Sequence, residues 1–216
     1  MSNTENLKKV LPVFERASSL LYKKGSQDFK FYSPFPTRKH DLLEMFTGIE
    51  EYIRPNMFSL DIGSAGGRLL FGFAFLGLNA IGIEALKYQV ERANNVAKIM
   101  ERKNIIKTWS SKTFWGNYFP PDFQVDEKVK WDDWPDDKKI EVPNDVYQDI
   151  GIKLNGFDVL TVFQFKQNSA ETLRLVSERC KNGALVVTWN LPRSGIPRNF
   201  SLLKQSGFSY IYRIKN

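Results

Sequence analysis

The chain has 216 residues, 42% of them hydrophobic, with 17 phenylalanines and a formal charge of +7. That is enough apolar material for one packed domain, which excludes a disordered chain, and the single cysteine, Cys180, excludes an internal disulfide framework. No apolar run approaches the ~20 residues that span a bilayer, and the polar opening Met1-Ser2-Asn3-Thr4-Glu5-Asn6 lacks a secretion-signal core, so an intracellular, cytoplasmic protein is expected.

The charge is unevenly spread. Residues 116–150 carry ten Asp/Glu against four Lys/Arg, whereas residues 151–216 carry ten Lys/Arg against three Asp/Glu. An acidic segment on a basic body suits acidic partners at one surface and basic ones at another, and solvated faces are an equal reading of the same pattern.

In chain order, residues 5–24 place apolar side chains at helical spacing. Pro12 interrupts them, so the main helix is expected to begin there. The two prolines of 30–37 exclude regular helix. An amphipathic helix follows over 38–54, with Leu42, Met45, Phe46, Ile49 and Ile53 on one stripe. His40, the only histidine, reads as a surface or capping residue near that helix's start. One histidine and one cysteine do not make a zinc ligand set, and no metal is expected. Residues 1–55 are therefore read as a helical lead-in and 56–216 as the main domain.

The informative stretch is 58–84. An apolar run ends around an acid, Leu60-Asp61-Ile62, and the turn Gly63-Ser64-Ala65-Gly66-Gly67 follows. An apolar helix comes next over 69–76, then a second apolar run over 80–83 closed by Glu84 and Ala85. Strand, tight turn, helix, strand and acid form the layout of a nucleotide-binding unit. Glycines permit the turn and a close ligand approach, the helix N-terminus offers unpaired N–H groups, and a terminal acid accepts from ribose hydroxyls. The G-x-G-x-x-G spacing of dinucleotide enzymes is not met.

Beyond it, 86–103 reads as a helix with a basic outer face and 111–115 as a strand. Residues 120–155, rich in proline and acids with Trp131 and Trp134, read as an enlarged insertion. Such a loop suits a cationic substrate, and equally a surface loop pinned by its tryptophans. A buried strand is expected over 157–165, a helix over 169–180, a strand over 184–189, a loop over 191–197, a short helix over 199–206 and an antiparallel strand over 208–214. The fold class is α/β: a doubly wound, mostly parallel sheet with helices on both faces, one strand short of seven.

The pattern D-x-G-x-A-x-G from Asp61 to Gly67 resembles motif I of class I S-adenosylmethionine (SAM) methyltransferases. Three further stretches resemble the small archaeal and the mitochondrial protein-lysine methyltransferases. They are Tyr32-Ser33-Pro34-Phe35-Pro36-Thr37, Gly116-Asn117-Tyr118-Phe119, and the run over 159–189. The resemblance implies SAM as cofactor. It places Asp61, Gly63, Ser64, Ala65, Gly66 and Gly67 around the methionine end, Glu84 at the ribose, and Asn117 with Tyr118 at the adenine, with Ala85 also in the cofactor shell, while Tyr32 and Thr37 close over the site. Gln164, Phe163 and Tyr32, with Trp189, are the candidates for lining a substrate channel. The fourth strand ends Val162-Phe163-Gln164, without the N/D-P-P-Y/F of amino-methylating DNA enzymes or the aspartate of K-D-K-E ribose methyltransferases. Lysine N-methylation of a protein is the implied activity. Methylation of RNA, through the basic C-terminal third, or of a small molecule is the alternative, and a non-catalytic binding module the second.

Overall fold

The structure, a computed structural model, describes residues 3–22, 39–126, 143, 145–163, 166–189 and 195–215. Seven strands among them form one sheet: β1 (Phe58–Ile62), β2 (Asn79–Glu84), β3 (Ser111–Trp115), β4 (Val159–Val162), β5 (Leu185–Trp189), β6 (Phe200–Ser206) and β7 (Ser209–Ile214). Their order is β3-β2-β1-β4-β5-β7-β6. The first five run parallel, and β7 is antiparallel to both β5 and β6. The winding reverses between β1 and β4, and α/β sheets bind ligands outside the strand carboxyl ends at such a switch point.

Parallel strands covered on both faces must be apolar throughout, and Val159–Val162 is buried at every position. One core packs α1 (Asn3–Tyr22), α2 (Lys39–Ile49), α3 (Arg68–Phe75) and α4 (Lys87–Arg102) on one face. The other holds Tyr118, Phe119, Phe123, α5 (Val146–Ile150) and α6 (Lys166–Arg179). Among the described residues no helix is long and apolar enough to cross a membrane.

Four features depart from the sequence reading. First, α1 runs through Pro12 instead of starting there. An interior proline costs a helix about 3 kcal/mol. Leu7, Leu11 and Phe14 are buried on either side of it, and Phe14 stacks on Phe71 of α3 at 4.9 Å. At about 1.5–3 kcal/mol for each buried side chain, this packing outweighs the proline. Second, α2 stops at Ile49, five residues short of the expected end, and the chain turns there.

Third, the segment read as a short helix is strand β6, so the sheet has all seven strands. A register shift between Leu202 and Lys204 breaks the alternation by which a strand is recognised. Gly207, at φ 57°, turns the chain into β7. Fourth, the far flank of the insertion is not irregular: it folds as α5 and a single 3-10 turn, Leu154–Gly156. Residues 127–142, with Trp131 and Trp134, lie outside the described residues, as does the 30–37 segment.

Candidate functional site

The ends of β1 and β2 place two acids on either side of the glycine-rich turn. Asp61 is the fourth residue of β1 and pairs in register with Gly82 of β2 and Thr161 of β4. It is 3% exposed, and the Thr161 hydroxyl donates a short hydrogen bond to its carboxylate. Burial pushes the Asp61 carboxyl up to about 7, the Thr161 bond opposes the rise, and nearby Glu84 adds to it. Sequence reading passed over Thr161. The available signal was a lone hydroxyl in the otherwise apolar run Val159-Leu160-Thr161-Val162.

Glu84, the last residue of β2, ties the turn to the next helix. Its Oε2 accepts from the Ala65 N–H at 2.8 Å and its Oε1 from the Leu86 N–H at 2.9 Å. Burial raises its carboxyl above the ordinary value, opposed by the backbone bonds from Leu86, Ala65 and Ala85. Ala65 stands at φ 45°, a left-handed conformation costing a non-glycine residue about 1–2 kcal/mol. The Glu84 bond holds it there. Gly63 and Gly67 have φ of 76° and 77°, where glycine is unstrained. The Gly63 and Ser64 N–H groups both donate to the Ile83 carbonyl, at 2.9 and 3.1 Å, locking the turn against β2.

Gly82 is the second requirement that sequence reading missed. A Cβ there would lie 2.5 Å from Ser64 Oγ and 2.6 Å from Leu70 Cδ1, so only a glycine in β2 lets the turn seat. Gly82→Ala is expected to cost about 1–3 kcal/mol through overpacking, read as a lower urea midpoint at unchanged slope. An unchanged midpoint would mean that the turn rests elsewhere. The Ser64 side chain thus packs beneath the turn, buried against β2. Above it, a Cβ on Gly66 would meet the Arg92 guanidinium of α4 at 3.5 Å.

At the end of β3, Trp115 Nε1 donates to the Ala85 carbonyl at 2.9 Å, bracing the residues after Glu84. Asn117 Oδ1 accepts from the Phe119 N–H at 3.0 Å, which shapes the following turn and leaves the oxygen's second lone pair. Tyr118 is buried in the α6-side core, 4.5 Å from the Phe119 ring, and its carbonyl accepts from the Tyr147 hydroxyl at 2.7 Å. Phe163 follows β4, and its ring lies 5.7 Å from that of Trp189, the last residue of β5. Asp61, Glu84 and the turn are therefore brought together, with Asn117 and Phe163 at the ends of neighbouring strands. Tyr32, Thr37 and Gln164 lie outside the described residues.

No protein-family model matches the chain, and no curated protein sequence does. Solved structures do match. The putative methyltransferase yhhF from Escherichia coli superposes with a TM-score of 0.55 at 15% identity, covering 83% of this chain and 87% of that one. The ribosomal protein L11 methylase from Lactobacillus delbrueckii subsp. bulgaricus gives 0.52 at 12% identity, over 81% and 78%. MtNAS in complex with MTA and tNA also gives 0.52, at 13% identity, over 95% and 71%. The fold is that of the class I methyltransferases. Its sheet order and antiparallel β7 agree with the doubly wound class expected from the sequence, and β6 supplies the strand that the sequence reading lacked.

The chemistry of the site fits SAM. SAM carries an ammonium, a sulfonium, a ribose diol and an adenine. The turn from Gly63 to Gly67 has no side chain larger than that of Ser64, which is tucked below. The two flanking acids are buried with their carboxyls raised, an environment that a cation relieves.

Proposed function

We propose that the chain is a SAM-dependent methyltransferase that N-methylates lysine side chains of a protein substrate. On this reading residues 56–216 form the cofactor domain and 1–55 the lead-in. The observation that carries it is the pair of buried carboxylates, Asp61 and Glu84, on adjacent strands astride a turn of small residues. Asp61 would take the ammonium, directly or through water. Glu84 would take the ribose diol with the lone pairs left after its backbone bonds. Asn117, with Ala85, would bound the adenine, and Tyr32 and Thr37 would close over the site.

When bound, SAM supplies a methyl group already activated by its sulfonium. What remains for the protein is to hold a neutral amine in line and exclude water. An apolar surround such as Phe163 and Trp189 would lower the pKa of an entering lysine, so no strong base is needed.

RNA methylation is the second reading, favoured by the basic C-terminal third. Its weight is reduced because Arg174, Arg179, Lys181 and Lys204 of that third are engaged with Glu171, Asp122, Asp158 and Glu51. Phosphate binding is carried by cations able to release counterions, and ion-paired ones do so less readily.

Calorimetric titration with SAM and its demethylated product, followed by tritiated-methyl labelling of protein and RNA fractions, tests the proposal. SAM binding together with label that survives nuclease and is lost to protease is the expected result. Label in the RNA fraction would replace the substrate assignment. No binding to the folded protein would remove the enzyme reading.

A further inference from the structure

The turn of the β6–β7 hairpin lies at the catalytic end of the sheet. Trp189, where β5 ends, pairs with Ser209, where β7 begins, so Gly207 and Phe208 sit level with the carboxyl ends of the parallel strands. From there an aromatic series leads inward. The Phe208 ring lies 5.9 Å from Trp189 at an interplanar angle of 32°, and Trp189 lies 5.7 Å from Phe163 at 48°. Exposure rises along the series: Phe163 and Trp189 are half-buried, whereas Phe208 is 56% exposed, one of few large apolar side chains so placed among the described residues.

The tip is held in place. Ser206 Oγ donates to the Glu44 carbonyl of α2 at 2.6 Å, and Gly48 of the same helix makes room for Ser206, whose Cβ would be 2.7 Å from a Cβ at Gly48. The Glu44 carboxylate lies over Gly207, where it would collide with any side chain. Burying Phe208 is not what this anchoring achieves. It presents a ring, backed by two more and flanked by a carboxylate, at the carboxyl end of the sheet.

We propose that Phe208 is a specificity-determining residue. On this account Phe208, with Trp189 and Glu44, captures the cationic side chain of a protein substrate at the entrance and leads its amine, with the apolar stem behind it, along the ring series toward Phe163. The inference rests on the lysine-methyltransferase reading and names how that site selects its substrate. Ring faces attract an ammonium through their quadrupole, a carboxylate adds to the attraction, and the methylenes of a lysine cover the apolar surface between. A nucleobase is served less well. Neighbouring rings already touch at tilted angles and leave no parallel slot for a base, and a carboxylate at the entrance repels phosphate.

The test uses the full chain labelled with 15N and follows the Trp189 indole N–H, assigned through Trp189→Phe. One probe is a Gly/Ser decapeptide with a central lysine, set against the same peptide with methionine in that place and against oligoadenylate. The lysine peptide is expected to move the Trp189 signal, and the methionine peptide and oligoadenylate to leave it in place. Phe208→Ala should weaken the peptide about five- to tenfold, with Phe208→Tyr retaining most of the affinity. Because Phe208 is exposed, neither variant threatens folding. A Trp189 signal unmoved by the lysine peptide, an affinity indifferent to Phe208→Ala, or a response to oligoadenylate instead would each overturn the proposal. SAM titration of the same samples reports separately on the cofactor reading, so a failure of one is told from a failure of the other.

Discussion

Glu84→Ala is expected to lower the unfolding free energy by about 2–4 kcal/mol and to abolish SAM binding. The Glu84 carboxylate is the common acceptor for the Ala65 and Leu86 N–H groups, one from the turn and one leading into α4. Deleting it leaves both donors without their partner in a partly buried setting, at about 1–3 kcal/mol each. Part of that loss is offset, because burying the acid itself is unfavourable, as its raised carboxyl shows. Glu84→Gln separates the two contributions. Glutamine offers one acceptor oxygen where the carboxylate offers two, so one N–H keeps a partner and the loss should fall between wild type and alanine. Urea unfolding monitored by circular dichroism gives the order, and calorimetry gives the binding. An alanine variant as stable as wild type would show that the turn holds its left-handed Ala65 by other means.

Asp61→Asn is expected to change how stability and affinity depend on pH. In the unfolded chain Asp61 titrates near 3.8, and in the folded one near 7. Between those values the folded state holds the extra proton, so stability falls as pH rises. At about 1.4 kcal/mol per pH unit, the total is at most about 4 kcal/mol by pH 8. Asparagine carries no such charge. The variant should gain on wild type in thermal melts at pH 8, and that advantage should shrink as pH falls toward the unfolded-state value of 3.8, below which the wild-type acid is protonated in both states. Binding should run the other way. A cationic ligand needs the carboxylate ionised, so wild-type affinity for SAM should fall as pH drops below 7, and Asp61→Asn should bind weakly throughout. Melts from pH 3.5 to 8.5 and titrations from pH 5.5 to 8.5 check both. A flat profile would place the Asp61 proton elsewhere.

The elements of the site were legible because they are local. The acid next to the end of β1, the turn from Gly63 to Gly67 and Glu84 ending β2 lie within 24 residues, and each meets a need of its own backbone: a turn, a close approach, a strand end. The alternation of apolar runs with amphipathic helices likewise set the doubly wound class before any contact was known. What stayed hidden depends on partners distant in sequence. Thr161 meets Asp61 across 100 residues of chain because the sheet places β4 beside β1. Gly82 matters because the turn folds back over it, and Pro12 is tolerated because the flanking turns of α1 are buried. The strand character of β6 was masked by its bulge. Phe208 acquires meaning only when β7 pairs with β5 and brings the hairpin tip to Trp189. The sequence by itself determined the chemistry offered at the strand ends. The tertiary structure alone decided which side chains face it, since sheet register and burial arise from pairings that no local pattern encodes.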